Sequence, residues 1–421
     1  MNSSARLSAF STANPHALAT ILEAAETKQI IASTDIFDIS GMKLWARDRP
    51  VSAELQRKLL DRQLRDPLET SLLAEDGVTV AWLGEAAMAL LAQDKPLVRL
   101  LRPHAAKVLR EVPQLTLHSV AQLLLTAAQA SRPQAFEHAV AAMLLCGSLM
   151  DAHGGSPAEL RAAMLCGLLH DLGEMYIDPK FGEADAEQSL DFESYQQLVV
   201  HPHVGQLLIA QLTNYPKSVA QAIGEHHERL DGSGYPRGST RGDVSMLGRM
   251  LAVAEATLAV LRDPQAQLAR LSVALRVVPG EFDLGWVGEI ARLAQAETGV
   301  AAKRDKAALA QRLGQLDSAL KGAHDNIELL TASAESDGLL GALKLSDALL
   351  NRLRTGWYAS GLWSVEAIAA EDAAEVEAIG DELIHRLCAI ERAAWLKAGT
   401  LSESDTQRLQ SLGQSLQSVG R

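Results

Sequence analysis

His138, the pair His170-Asp171, His201 and the pair His226-His227 supply donors of the kind that bind divalent cations, and Glu255 adds a carboxylate. Neutral imidazole is the commonest metal ligand, and carboxylates complete sites for hard or borderline ions. Seven of the twelve histidines fall between positions 138 and 227, within Ala/Leu-rich sequence. That density points to a metal centre, and the two adjacent pairs point to more than one ion. The last pair runs into Glu228-Arg229-Leu230-Asp231-Gly232-Ser233-Gly234-Tyr235-Pro236, whose glycines let backbone approach a ligand closely. Each feature alone has a plainer reading: a helix-end His beside an exposed Asp, an ordinary Gly-rich turn, and at His203 a side chain pointing away. Their joint occurrence favours the metal.

The elements that must position these residues are helical. A chain of 421 residues implies two or three domains, and 48 % hydrophobic content with only 4 % aromatics favours helices rich in Ala and Leu. We divide it into a small α+β module over 1–100, a helical domain over 101–299 and a helical C-terminal region over 300–421. In the first, Ile30–Trp45 reads as a hairpin around Ser40-Gly41, and Ser52 as the N-cap of a following helix. In the second, Ser156 and Pro157 open a helix over Pro157–Leu172 that carries His170-Asp171 near its end and is closed by Gly173. Lys217–Ile223 forms another helix, ending just before His226-His227. The third reads as amphipathic helices over Ala301–Ser333, Leu340–Ser360 and Glu366–Ala398. The fold class expected is mainly α, a helical bundle core with a small N-terminal α+β module and C-terminal helices.

A net charge of −13 excludes a general nucleic-acid binder, whose affinity rests on Lys and Arg neutralising phosphates, so no DNA partner is expected. A small phosphorylated ligand in a local basic or metal-lined pocket remains compatible. Cys146, Cys166 and Cys388 form no CxxC pair and read as reduced thiols of a cytoplasmic protein. Met1–Pro15 lacks the pattern of a signal peptide. The apolar runs Val78–Ala92 and Met250–Leu261 contain Glu85 and Glu255 and fall short of the roughly 20 residues of a membrane span, so none is expected.

The ordered series His-Asp, His-Pro-x-x-Gly (His201-Pro202-His203-Val204-Gly205) and His-His-Glu-x-x-Asp-Gly-x-Gly-Tyr-Pro resembles the HD-GYP family, bacterial phosphodiesterases of the HD superfamily that hydrolyse cyclic di-GMP. The resemblance covers about 130–295 and implies an HD-type helical bundle. It also implies metal ligation by His138, His170, Asp171, His201, His226 and His227, with Asp171 bridging the ions. Glu255, in Val253-Ala254-Glu255, stands where the family has Asp, and Arg249 matches an Arg that meets substrate phosphate. Gly234, Tyr235 and Pro236 would shape the lip of the pocket. Three departures stand out: Glu174 replaces the Lys of His-Asp-x-Gly-Lys, Gln134 replaces a metal-binding Glu of some members, and Arg262-Asp263-Pro264-Gln265-Ala266 replaces Arg-Pro-Tyr-Arg. Asp35–Leu55 resembles the small module that often precedes such domains.

The resemblance implies two divalent ions, iron or manganese first and zinc as a further candidate. It implies hydrolysis of cyclic di-GMP, or a related small nucleotide, to linear pGpG or GMP by a hydroxide shared between them. Glu174, Glu255 and the altered Arg262–Ala266 segment motivate two rivals. One is a catalytically degenerate regulator that binds nucleotide or a diguanylate cyclase-type partner. The other is a phosphohydrolase of altered specificity. The C-terminal helices are expected to mediate homodimerisation or partner contact.

Overall fold

The computed structural model describes residues 9–179, 192–262, 268–294, 306–360, 373–399 and 401–417. The expectations for Asp263–Ala266 and for 361–372 lie outside the described residues, as does the side chain of Cys388. Two compact units divide the chain, one of residues 1–227 and 245–254, the other of 228–244 and 255–421.

The first unit begins with α1 (Pro15–Ala24), whose Asn14 cap accepts from the amides of His16 and Ala17. Four short strands follow. The expected hairpin is smaller than Ile30–Trp45: β2 (Ile36–Phe37) pairs with β3 (Lys43–Trp45), while β1 (Ile30–Ala32) pairs antiparallel with β4 (Leu72–Ala74). The reason is burial. Residues 30 and 32 point one way and are buried, as are their paired residues 74 and 72, so the two strands together present one apolar face to the core. Between them lies α2 (Ala53–Leu59); Ser52 occupies its N-cap but makes no side-chain bond there.

Helices then take over: α3 (Val80–Leu91), α4 (Pro96–Leu101), α5 (Ala105–Glu111), α6 (Ser119–Ser131), α7 (Pro133–Ala152) and α8 (Pro157–Leu169). Ser156 and Glu159 form a complete capping box at the start of α8, with Pro157 in its first turn. α7 has the length and apolarity of a membrane span, but 72 % of that stretch is buried against protein, as in a core helix. Its closest partner is α8. A Cβ on Gly167 would lie 2.3 Å from the Ala142 carbonyl oxygen, so only glycine lets these helices approach this far. α8 ends at Leu169, earlier than the expected Leu172, and His170–Tyr176 continues as a 3₁₀ turn. Then come α9 (Phe192–Leu198), α10 (His201–Leu212) and α11 (Lys217–Ile223), the last with the bounds read from sequence.

The N-terminal module packs on the 3₁₀ turn. Asn14 Nδ2 donates to the Tyr176 carbonyl at 3.1 Å, and the Tyr176 hydroxyl donates to buried Glu69 Oε1 at 2.8 Å. Burial pushes the Glu69 carboxyl above its ordinary 4.5. A raised folded value means this group's contribution is complete below 4.5 and is lost as pH rises through the folded value. Glu69→Gln keeps the acceptor without the charge. Expected is a gain in Tm of about 2–4 °C at pH 7.5, as for ~1 kcal/mol in a unit this size, shrinking toward nothing near pH 4.5. Thermal scans across that range check it.

α12 (Met246–Leu261) contributes residues 246–254 to the first unit. The second unit holds α13 (Leu268–Ala274), α14 (Leu284–Ala294), α15 (Lys306–Ser333), α16 (Asp337–Ser360), α17 (Ala373–Ala398) and α18 (Glu403–Gln417). Along α15 the buried positions Leu309, Leu313, Leu316, Leu320, Ala323, Ile327 and Leu330 alternate steps of four and three, the spacing of a coiled-coil seam. All but Leu309 share a core with Leu350, Leu353, Trp357, Leu383 and Leu412. The break expected around Thr400 is followed by α18, a helix that the polar Ser/Gln-rich stretch did not disclose.

Candidate metal centre

Three helix ends build the cage. A helix leaves its last carbonyls without intrahelical partners. Here histidines one to three residues beyond those ends take them up. His170 Nδ1 is 2.8 Å from Gly167 O, His201 Nδ1 2.8 Å from Leu198 O, and His226 Nδ1 2.6 Å from Ile223 O. A carbonyl only accepts, so each Nδ1 carries the proton and each neutral ring turns an Nε2 lone pair inward. Burial, followed by the charge of His227, holds His226 down to about 3 and keeps that ring neutral.

The inward atoms meet in pairs. His138 Nε2 on α7 lies 3.2 Å from His170 Nε2, and His201 Nε2 lies 3.1 Å from His226 Nε2. In the second pair both rings spend their protons on backbone, so two lone pairs face one another. Asp171 stands between the pairs. Its Oδ2 is 3.0 Å from His170 Nε2 and 3.5 Å from His138 Nε2. Its Oδ1 is 3.4 Å from His226 Nε2 and 3.6 Å from His201 Nε2. Oδ1 is buried with no donor in hydrogen-bonding geometry. Burial opposes the Asp171 charge, but the His170 imidazole and those of His201 and His226 outweigh it and hold the carboxyl well below its usual range. Donor atoms of Asp171, His201, His226 and His227 all lie within 4.8 Å of one another. Opposed lone pairs and an orphaned carboxylate oxygen are what a cation would satisfy. The donor set fits divalent metal.

Glycines set the spacing. Gly167 brings α8 against α7 and so His170 against His138. Gly173 was expected to close a helix, and in the structure it allows close approach: a Cβ there would sit 2.0 Å from the His201 carbonyl oxygen. Gly167 carried a readable signal, since mid-helix glycine costs about 1 kcal/mol relative to Ala and needs a packing reason.

The remaining candidates are distributed as follows. His203 is exposed, pointing away as read, and Gln134 is exposed at the start of α7. Arg249 is partly buried in the first turn of α12, in the first unit. Gly234, Tyr235 and Pro236 lie half-buried in a loop of the second unit. That loop is braced by Glu228, whose two oxygens accept from the amides of Arg237 (2.8 Å) and Ser239 (2.7 Å). Glu255, also of the second unit, is 3 % exposed, with Oε1 3.4 Å from Arg262 Nη2.

Glu174 is buried on the 3₁₀ turn. Arg132, at the α6–α7 junction, donates from Nη1 to the Glu174 carbonyl (3.2 Å) and from Nη2 to Thr20 Oγ1 (3.0 Å). Burial lowers the Arg132 guanidinium, and the Glu174 charge is the first influence opposing that. Arg132 is near enough to feel the Glu174 charge, although its hydrogen bond goes to the Glu174 backbone. Sequence reading missed Arg132 because nothing local marks it: its partners lie 42 and 112 positions away.

Residues 122–278 match the family model described as HD domain. Three curated proteins are similar over part of this chain. A 3'3'-cGAMP-specific phosphodiesterase 3 of Vibrio cholerae is 31 % identical over 88 residues, covering 21 % of this chain and 18 % of that protein. The cyclic di-GMP phosphodiesterase PA4108 of Pseudomonas aeruginosa is 32 % identical over 97 residues, 23 % of each. The cyclic di-GMP phosphodiesterase PdeB of Borreliella burgdorferi is 30 % identical over 96 residues, 23 % of this chain and 24 % of that one. The matches therefore span less than a quarter of each relative. Among solved structures, Bd1817, an HDG"Y"P protein from Bdellovibrio bacteriovorus, aligns over 65 % of this chain and 98 % of that one at 15 % identity and a TM-score of 0.36.

Proposed function

We propose, on the premise that residues 122–278 are an HD domain of the HD-GYP family, that this chain is a metal-dependent phosphodiesterase hydrolysing a cyclic dinucleotide, cyclic di-GMP first, to linear pGpG or GMP. The observation that carries the reading is Asp171, whose two oxygens each face a different pair of inward imidazole nitrogens. This is the arrangement of a carboxylate shared by two cations. His201, His226 and His227 would hold one and His138 and His170 the other, with Glu255 proposed as a further carboxylate. When bound, divalent ions, iron or manganese, would supply Lewis acidity for the phosphoryl group and a water of lowered pKa.

The protein's own groups do the rest. The helix-end carbonyls fix the imidazoles of His170, His201 and His226 in the ligating tautomer before any ligand arrives, so binding loses little to reorganisation there. Burial of His170, His201 and His226 excludes bulk water from the cage. Arg249 is proposed to offset phosphate charge, and Gly234-Tyr235-Pro236 to form the lip. Arg132, whose guanidinium bonds to the Glu174 carbonyl, places a positive charge near position 174.

A second reading, a regulator that binds nucleotide without turnover, is favoured by one observation. Arg262 engages Glu255, and an arginine competes with a cation for the same carboxylate. One assay separates the two. Purified full chain with Mn²⁺, or with Fe²⁺ under anaerobic conditions, is given cyclic di-GMP or 3'3'-cGAMP, and products are resolved by chromatography alongside metal analysis. Linear dinucleotide or GMP, abolished by chelator, is expected. Full metal occupancy with cyclic dinucleotide bound and uncleaved would overturn hydrolysis in favour of the regulator.

A further inference from the structure

The loop that carries Gly234-Tyr235-Pro236 is fastened to the C-terminal helices by buried charge. Asp231 Oδ1 accepts from the Ser233 amide (3.0 Å) and hydroxyl (2.6 Å), while its Oδ2 lies 3.7 Å from Arg352 Nη1 on α16. The loop's Arg229 Nε reaches Glu281 Oε1 at 3.8 Å. Glu281 is also taken by Arg386 on α17, with Nε 2.9 Å from Oε1 and 3.0 Å from Oε2. Arg386 spends its other nitrogens on Glu382 (3.1 Å) and on the Ala274 carbonyl (3.1 Å). Three arginines thus balance three carboxylates, and Asp231, Glu281 and Arg386 are largely buried.

Stability alone does not call for such a network. Apolar side chains of similar volume hold a loop base as well or better, because the desolvation of buried charges offsets much of their attraction. What the ionic version adds is direction. The guanidinium of Arg386 holds Glu281 while it also engages Glu382 and the Ala274 carbonyl, and Glu281 in turn carries the loop base: its carbonyl accepts from the Leu230 amide at 2.9 Å and its carboxylate faces Arg229. The same segment feeds Val278 into the apolar core of the C-terminal helices. Loop base and helices therefore move together.

We propose that Arg386, supported by Arg352, is a positioning residue through which the C-terminal helices hold the Gly234-Tyr235-Pro236 loop in the conformation that receives substrate. A partner or ligand that displaces α16 or α17 would then change substrate affinity without touching the metal cage. The proposal rests on the phosphodiesterase reading for its substrate, but not for its mechanics.

The test compares Arg386→Met, Arg386→Lys and Arg352→Met in the full-length, metal-loaded protein. Three quantities are read: hydrogen exchange of the 228–244 amides, KM against kcat for cyclic di-GMP, and metal content. In Arg386→Met, exchange in the loop rises and KM rises, each about tenfold, equivalent to about 1.4 kcal/mol, with kcat and metal content unchanged. Lys restores charge but not the three-way fork, so Arg386→Lys falls between. Unchanged loop protection and KM in a folded Arg386→Met protein would overturn the proposal, as would a fall in kcat and metal content with KM unmoved. Should Arg386→Met fail to fold, the half-exposed Arg352→Met decides, with about threefold faster exchange expected at the loop and none overturning. If the wild type shows no turnover, the phosphodiesterase reading fails by itself; the exchange arm and calorimetric binding of cyclic di-GMP still decide the positioning role.

Discussion

Asp171→Asn is expected to lower metal-dependent turnover by at least about a thousandfold, a loss of ~4 kcal/mol in transition-state stabilisation, and to reduce bound metal below two ions per chain. The substitution changes almost nothing in volume. One carboxylate oxygen becomes an amide nitrogen that donates and cannot ligate a cation. Because Oδ1 and Oδ2 each face a different imidazole pair, either orientation of the amide deprives one pair of its oxygen. The change also removes the interactions with His170, His201 and His226 that outweigh the desolvation of this buried charge, so some loss of stability accompanies it. The measurements are elemental analysis, kcat with cyclic di-GMP, and circular dichroism as a control for folding. A folded Asp171→Asn protein with two metals and turnover within tenfold of wild type would remove Asp171 from the bridging role.

How much of this was legible in the sequence differs from residue to residue. The donors of the cage are visible as residue types, and the order His-Asp, His, His-His marks them as one set. The bounds of α11 and the Ser156–Glu159 cap follow from local chemistry and reappear in the structure. Nothing local, however, says that the orphan carbonyls of Gly167, Leu198 and Ile223 fix the ring tautomers; that takes a side chain folding back on the helix just ended. The extent of α8 was overestimated for a related reason. His170–Tyr176 has helical sequence, but it tightens into a 3₁₀ turn where it packs on α1 and α10. β1 found its partner at 72–74 rather than in the adjacent hairpin because long-range burial outweighed proximity. Arg132 beside Glu174, and Arg386 beside Glu281, join positions dozens of residues apart or more. A single sequence carries no signal for such pairs: one places a cation near Glu174, the other holds Glu281, whose carbonyl accepts from the loop's Leu230 amide.

Gly173→Ala should collapse the cage without touching a ligand. The added Cβ would lie 2.0 Å from the His201 carbonyl oxygen, 2.8 Å from the Gly205 amide nitrogen and 2.9 Å from the His201 carbonyl carbon. All three are backbone atoms, so no rotamer change relieves the contact. To restore a van der Waals separation, α10 and the 3₁₀ turn must part by at least ~1 Å. That movement separates His201, on the first turn of α10, from His170 and Asp171 on the turn it abuts. Overpacking of this kind costs on the order of 3 kcal/mol, which for a unit of this size lowers Tm by about 6–12 °C. Metal affinity should fall with it, because ligation geometry tolerates only a few tenths of an ångström. Gly205→Ala serves as the contrast. Its Cβ would meet the Ile223 side chain at 3.0 Å and backbone only at 3.4 Å or beyond, so a shift of one methyl group absorbs it and the losses should be several-fold smaller. Differential scanning calorimetry with metal analysis on both variants gives the answer. If Gly173→Ala melted within about 2 °C of wild type with its metal intact, the close approach of the turn to α10 would not be what holds His201 beside Asp171.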